Sequence, residues 1–474
     1  MRALVSLSIT GLALLFCFVA AWPAYSGEAP KLGSTEDRIS PCAENPRYWQ
    51  YKGAPIMLIG ASNEDNLFQC EDVKEQLDLL ASLGGNYVRN TMSSRDDGNI
   101  WPFHRREDGK YDLERLSDAY FDRFARFLRL AYERDVIVQI ELWDRFDYAR
   151  DEWLDNPYRP ANNINYTTES ADLKNEYPRH PGTNDNPFFR SVPELENREL
   201  LLKYQHAQVD RLLEIALPYP NVLYCMDNET SADPAWGAYW SRYIQDRAEK
   251  AGVSVQTTEM WDAWDLRHPQ HRNTLDHPEL YSFVDMSQNN HNSGREHWNN
   301  LQWVRAYIGE HPRPINHVKD YGADTGNFGN TRDGIERFWR CILGGAASIR
   351  FHRPDAGIGL KPVAQPHVKS ARMLMSVLDV FRAVPDSSLE RLKDADDNEA
   401  YLMYVPGQAY AVYFPKGGAV GLDLTEASGT FEVQWIDATT STWQKASPVK
   451  GGETIALEAP VQNHCVAVVS KKEG

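Results

Sequence analysis

The sequence has few cysteines, no excess of basic charge and no long apolar run beyond its N-terminus. Six cysteines among 474 residues include no C-x-x-C pair, which argues against a zinc or redox site built on cysteine. Because the net charge is −17, nucleic acid and anionic membranes are not expected partners. No internal repeat is present, and no later run is long enough to span a bilayer. What remains is a large globular chain with room for two or three domains.

The first 26 residues have the pattern of a secretory leader. Arg2 supplies a positive charge, residues 4–21 are apolar, and Ala24 and Ser26 frame a small-x-small cleavage site. We therefore expect a signal peptide over residues 1–26, a secreted or periplasmic protein and an N-terminal extension over residues 27–50. The leader contains Cys17, and five other cysteines remain. Cys42 and Cys70 flank the first predicted strand and could pair.

Aromatic residues are abundant, with 14 Trp and 23 Tyr. Their rings can stack on the apolar faces of sugars, but they also build ordinary cores. The composition leaves both roles open.

Apolar strand-like runs alternate with amphipathic helix-like runs over residues 51–385. This alternation is typical of a parallel sheet with crossover helices, and eight strands predict an α/β fold of the (β/α)8 TIM-barrel type. Residues 147–193, after the third strand, are too long and polar for a plain connection and would overhang the active face. The predicted strands are residues 55–60, 86–90, 136–142, 221–226, 253–258, 283–287, 314–318 and 346–351.

The character of the chain changes after Pro385. Short alternating strands separated by Gly, Pro and Asp turns predict a small antiparallel β-sandwich over residues 386–474. This domain could bind a glycan or brace the barrel.

Nearly every predicted barrel strand ends in a carboxylate, amide, imidazole or indole. In a parallel barrel these ends converge on one face, where catalytic groups sit. Each residue alone could be a solvated loop residue or half of a salt bridge, but the set predicts a polar pocket. Its members are Arg89, Asn90, Glu141, Trp143, Asn228, Glu229, Glu259, Trp261, His291, His317 and Asp320.

Asn228-Glu229 ends the fourth strand and is the strongest catalytic signal. Glycosidic cleavage needs one carboxyl that donates a proton and a second, ionised one that acts as nucleophile or base. Glu229 is the predicted general acid/base, and Asn228 is placed to hold a sugar hydroxyl.

Three segments resemble clan A glycoside hydrolases: residues 84–90, residues 108–113 and Asn228-Glu229. More narrowly, the chain is similar to the apiosidase-like group of secreted bacterial proteins. Those proteins carry a C-terminal β-domain labelled "collagen-binding", whose turn resembles residues 435–440. The resemblance implies a polysaccharide or oligosaccharide substrate, Arg89 as a site residue, Glu229 as acid/base and a glutamate nucleophile at the end of strand seven.

The sequence departs from that pattern at the nucleophile. The segment at residues 313–322 resembles K-P-x-x-x-x-E-x-G, but counting from Pro314 puts Lys319 at the glutamate position. Counting back from Gly322 puts Asp320 there. Lysine cannot be the glycosyl nucleophile, so Asp320 is the predicted second catalytic carboxylate. The alternatives for this role are Glu259, Glu141, Asp324 and Asp355.

Two other functions stay open. Lys319 at the nucleophile position favours a non-catalytic glycan-binding protein. His291, His317 and His352 follow strands six to eight and could form a metal site, although no H-x-H or H-E-x-x-H spacing is present. The preferred hypothesis is a hydrolase without metal or cofactor. Its predicted substrate-binding residues are Arg89, Asn90, Glu141, Trp143, Asn228, Glu259, Trp261, His291 and His317.

Overall fold

The structure, a computed structural model, describes residues 37–324, 328–444 and 446–472. The predicted leader over residues 1–26 lies outside the described residues. Among the described helices, none combines the length and the apolar character needed to cross a bilayer.

Eight parallel strands alternate with eight main helices in the described part of the larger domain. The strands are β1 (Leu58–Ala61), β2 (Tyr87–Thr91), β3 (Ile137–Asp144), β4 (Val222–Asn228), β5 (Gln256–Thr258), β6 (Val284–Asp285), β7 (Ile315–Asn316) and β8 (Ser348–Phe351). The helices are α1 (Val73–Ser82), α2 (Asp118–Tyr132), α3 (Glu199–Ala216), α4 (Pro234–Lys250), α5 (Pro269–Leu275), α6 (Gly294–Tyr307), α7 (Thr331–Leu343) and α8 (Gln365–Met375).

The strands follow the order of a barrel. One six-stranded sheet runs β5-β4-β3-β2-β1-β8, and β6 pairs with β7. Ala347 N donates to Ile315 O at 2.8 Å, which joins β7 to the start of β8. Between β5 and β6, Thr258 Oγ1 donates to Phe283 O at 2.8 Å, so side chains make this link among the described residues. All eight strands therefore end on the same face.

The helices lie in the segments where apolar residues recur at helical spacing. In α2, Tyr120, Phe124, Phe127, Leu128 and Ala131 recur at helical spacing and are buried, and Ser117 caps the helix by accepting from Tyr120 N. The predicted bounds of the first barrel strand, residues 55–60, are wrong. Ala54–Ile56 belongs to a separate antiparallel sheet, and β1 begins at Leu58.

The N-terminal extension covers the end of the barrel opposite the strand carboxyl ends. Its short strands Ser40–Pro41, Trp49–Tyr51 and Ala54–Ile56 form an antiparallel sheet. The Trp49 indole is completely buried and donates to Asn316 Oδ1 at 2.9 Å, inside the barrel. This buried contact ties the N-terminal sheet to β7.

The long connection between β3 and α3 is folded rather than structureless. It contains short helices, and its Phe188 packs on Trp143 and Trp236. Ser231 Oγ, two residues beyond Glu229, donates to Gly182 O at 3.2 Å in this connection. As predicted, the segment lies on the face where the strands end.

The C-terminal region forms two antiparallel sheets that share one hydrophobic core. The outer face of the larger sheet packs on α7, where Trp339 stacks on Tyr413 with ring centroids 5.5 Å apart. This contact supports a bracing role. The main strands are β9 (Tyr401–Val405), β10 (Ala409–Phe414), β11 (Ala419–Asp423), β12 (Thr430–Asp437), β13 (Ser447–Lys450), β14 (Thr454–Glu458) and β15 (Cys465–Lys471); Val384–Pro385, Leu392–Lys393 and Thr442–Trp443 are shorter.

The described cysteines are all free. The possibility that Cys42 and Cys70 pair is therefore wrong. Cys42 is buried in the N-terminal sheet region, and the Cys70 thiol points to Asn66 O at 3.9 Å.

Candidate active site

Glu229 directly follows the last residue of β4, and its backbone is strained. Its φ of 49° lies in the left-handed region, which costs a non-glycine residue about 1–3 kcal/mol. Such strain persists only where the surroundings enforce it, and it is concentrated at functional sites. The side chain is 15% exposed, so a mostly covered carboxylate still reaches solvent.

Two groups that follow β7 hold one oxygen of this carboxylate. Lys319 Nζ pairs with Glu229 Oε1 at 2.7 Å, and the Tyr321 hydroxyl donates to the same atom at 3.1 Å. Burial, the largest single influence, acts to raise the pKa of Glu229. The charge and hydrogen bond of Lys319, the charge of Arg89 and the Tyr321 hydrogen bond together outweigh burial and lower the pKa to about 2. Glu229 is thus ionised at neutral pH and can act as nucleophile or base. The sequence hypothesis made Glu229 the proton donor, but an ionised carboxylate has no proton to donate.

Asn228 is oriented by two cations. Its Oδ1 accepts from Arg89 at 2.9 Å and also from Lys319. Arg89 is itself fixed, because it donates to both oxygens of Glu141 at 2.6 and 2.5 Å and pairs with Asp65 at 2.6 Å. With Oδ1 occupied, the Asn228 amide hydrogens remain to donate, which suits a sugar hydroxyl.

A β-bulge explains why the two ways of counting the nucleophile position disagree. Arg350 N donates to His317 O at 3.1 Å, and Arg350 O accepts from Asp320 N at 2.9 Å. In a regular parallel ladder the second bond would come from residue 319. Two residues, Val318 and Lys319, therefore lie opposite the single residue Arg350 of β8. A bulge re-aims a side chain, and here the Lys319 ammonium reaches Glu229.

Asp320, the predicted second carboxylate, is not brought to Glu229. Its carboxyl is completely buried, and the cations that act on it are Arg337 and Arg340 of α7. Burial dominates and raises the pKa of Asp320 well above its usual range. The adjacent residues Lys319 and Asp320 thus point in opposite directions, as neighbours in an extended chain do.

Asp262 is a carboxyl beside Glu229 that the sequence analysis missed. Its N donates to Thr230 O at 2.9 Å, in a bridge that ties the segment after β5 to the segment after Glu229. Burial, and then the negative charge of Glu229, raise the pKa of Asp262 to about 6. The sequence feature that could have identified Asp262 is its position one residue after Trp261, which follows the fifth predicted strand.

The other candidate carboxyls are occupied elsewhere. Glu141 is bound to Arg89, and Glu259 is buried with Oε1 accepting from Asp227 N and Met260 N at 3.0 Å. Asp324 is exposed and accepts from Thr331 N at 3.3 Å, whereas Asp355 pairs with Arg353 at 3.0 Å. None has an ion pair or hydrogen bond with Glu229 among the described residues.

Several predicted substrate-binding residues are too buried to contact a ligand. Trp143 packs in the aromatic cluster under the long connection, and the Trp261 indole donates to Thr274 at 2.8 Å. Asn90 is completely buried and accepts from Phe68 N at 3.0 Å. His317 is also completely buried, behind β7. The side chains of these four predicted substrate contacts are thus enclosed by the protein.

An aromatic row lies beside Glu229 instead. Trp264, 62% exposed, stacks on His291 with centroids 4.2 Å apart, and Phe328, 41% exposed, stacks on Tyr321 at 4.8 Å. His291 and Phe328 meet edge to face at 4.6 Å. Burial lowers the pKa of His291 to about 4, so its neutral ring can exchange hydrogen bonds with a hydroxyl. Of the predicted aromatic and imidazole contacts, His291 is the one the structure places here.

We expect Trp264→Ala to raise KM about fivefold on a carbohydrate substrate with little change in kcat, because a stacked ring contributes about 1 kcal/mol to binding. Initial rates on a soluble polysaccharide would measure this. Tyr307→Ala, at the C-terminal end of α6 on the opposite face, is the control exposed aromatic. Equal KM values for the two variants would remove Trp264 from the substrate site.

The predicted histidine metal site is not assembled. His352 lies beside Asp65 at 3.6 Å, and His291 stacks on Trp264. His317 belongs to a different, buried cluster with His297 and Cys341.

The described fold resembles solved glycoside hydrolase structures. A glycoside hydrolase family 5 protein from Bacteroides vulgatus superimposes with a TM-score of 0.60 and 13% identity, over 94% of this chain and 96% of that one. A second protein, named only as a glycoside hydrolase, has a TM-score of 0.60 and 11% identity, over 94% and 99%. No protein-family model and no curated protein sequence matches the chain. At these identities the likeness shows a shared two-part fold along nearly the whole chain.

Proposed function

We propose that this protein is a glycoside hydrolase that cleaves a polysaccharide or its oligosaccharides with two carboxyl groups. The observation that carries the proposal is that two neighbouring carboxyls on the face where the strands end have pKa values shifted in opposite directions. Glu229 has a pKa of about 2, whereas Asp262 has a pKa of about 6. Environments that separate two carboxyl pKa values assign the acid and the base of a glycosidase.

In this proposal the roles differ from the sequence hypothesis. Asp262 is the general acid and protonates the leaving oxygen, because burial and the Glu229 charge raise its pKa to about 6, so that it holds its proton in mildly acidic solution. Ionised Glu229 attacks the anomeric carbon or activates water, and its Oε2 is free of hydrogen bonds among the described residues. Asn228, His291 and Trp264 hold the sugar. The anomer released first, read by NMR, distinguishes attack by Glu229 from attack by water.

The finer assignments rest on the sequence. The apiosidase-like resemblance, export by the leader over residues 1–26, a fully closed (β/α)8 barrel and a collagen-binding-type β-sandwich are all part of the proposal. The fold likeness to glycoside hydrolases supports the reaction class.

The pH dependence of hydrolase activity tests whether Asp262 is the general acid. Activity should fall as pH rises through about 6, since deprotonated Asp262 cannot donate. Asp262→Asn should lose about 10²- to 10⁴-fold in kcat on substrates with poor leaving groups and should lose this alkaline limb. It should lose far less on activated aryl glycosides, which need no acid. If Asp262→Asn kept the same fall of activity above pH 6, that fall would come from another group, and Asp262 would not be the general acid.

A non-catalytic glycan-binding protein is the second candidate, favoured by the Lys319–Glu229 ion pair that neutralises the central carboxylate. It predicts glycan binding without turnover and binding that Glu229→Gln leaves unchanged. Incubation of a panel of plant and microbial polysaccharides with the protein, followed by reducing-end assay and binding calorimetry, separates the two functions.

A further inference from the structure

A buried cluster lies behind β7, on the side away from Glu229. It consists of His297 of α6, His317 just after β7 and Cys341 of α7, and all three side chains are completely buried. One ligand atom from each lies within 4.8 Å of the others. The three residues come from three consecutive elements of the barrel wall.

The polar atoms of this cluster lack partners in the protein. Both ring nitrogens of His297 and of His317 have no hydrogen bond among the described residues, and neither have the two carboxylate oxygens of nearby Asp320. A buried polar group without a partner destabilises the folded state, because it has lost its hydrogen bonds to water. Several such groups at one place are expected only where something binds them.

We propose that His297, His317 and Cys341 bind a Zn²⁺ ion. Two imidazoles and one thiolate are ligands that Zn²⁺ prefers, and a site without access to solvent is typical of a structural zinc. The Asp320 carboxylate, close enough to act on the Cys341 thiol, is available for the fourth position. This site is independent of the proposed hydrolase activity.

Charge balance supports the ion despite neighbouring cations. Arg337 and Arg340 both face the cluster from α7 and disfavour added positive charge. However, Zn²⁺ with one thiolate and one carboxylate sums to zero, so the assembly adds no net charge beside these arginines. The ion would tie α6 and α7 to the strand that carries Lys319, two residues after His317.

The test is the metal content of untagged protein produced with added zinc. Elemental analysis should give about one zinc per chain for wild type and for Cys465→Ser, a buried cysteine of the β-sandwich that serves as control. Cys341→Ser should lose most of the metal. Protein refolded with Co²⁺ should show a thiolate charge-transfer band that Cys341→Ser lacks, and wild type alone decides the result if the variant fails to fold. Protein that is folded but free of zinc, with no cobalt band, would overturn the proposal.

Discussion

Glu229→Gln is expected to lower kcat/KM by at least about a thousandfold, or roughly 4 kcal/mol of transition-state stabilisation. The amide has the shape of the carboxylate and can still accept the Tyr321 hydrogen bond. It cannot attack an anomeric carbon or take a proton from water. It also leaves Lys319 without its counter-ion, which removes the electrostatic arrangement of the site.

The matched control is Asp324→Asn, an exposed carboxylate that follows β7 and has no ion pair or hydrogen bond with Glu229 among the described residues. It should keep wild-type rates. Thermal unfolding must show that Glu229→Gln remains folded, and calorimetry should show that it still binds the glycan. If Glu229→Gln stayed within tenfold of wild type, Glu229 would not be the reacting carboxylate.

The sequence located the strand ends but not the directions of the side chains. Periodicity and turn residues define where a strand stops, so Asn228-Glu229 was found at the end of β4. The bulge at Val318 and Lys319 depends on hydrogen bonds to β8, which are tertiary and leave no local pattern. For this reason the sequence could name Lys319 and Asp320 together but could not say which faces the cleft.

The same limit applies to the tryptophans. Trp143, Trp261 and Trp264 all follow strands and have the same chemistry, so composition cannot separate a core ring from a sugar platform. Burial separates them: the first two are enclosed, and Trp264 is open. Asp262 was missed for a related reason, since its pKa is set by burial and by Glu229, a residue distant in sequence.

Removal of Arg89 is expected to have the largest effect on stability. Arg89 is completely buried and pairs with both Asp65 and Glu141. Arg89→Met would leave Glu141 buried without its cation and Asp65 with only its longer pairs to Arg350 and Arg353, which costs about 3–5 kcal/mol. A hydrophobic side chain of similar length keeps the volume, so the loss reports the charge and not a cavity.

The destabilisation by Arg89→Met should depend on pH. In wild type, burial opposes ionisation of Asp65, but Arg89 and the other cationic neighbours together hold the Asp65 pKa well below its usual range, with Arg89 the strongest of them. This stabilises the fold at pH values above the unfolded pKa. In the variant, burial is opposed only by the remaining cationic neighbours of Asp65, chiefly Arg350 and Arg353, so the pKa of Asp65 rises. The folded state therefore gains protons, and its penalty grows as pH rises above about 4. The difference in urea midpoint between variant and wild type should thus be larger at pH 8 than at pH 5.

Arg211→Met, which removes a surface pair with Glu214, should cost less than about 1 kcal/mol at both pH values. An effect of Arg89→Met that matched this control, or that did not change with pH, would mean that Asp65 and Glu141 find other partners.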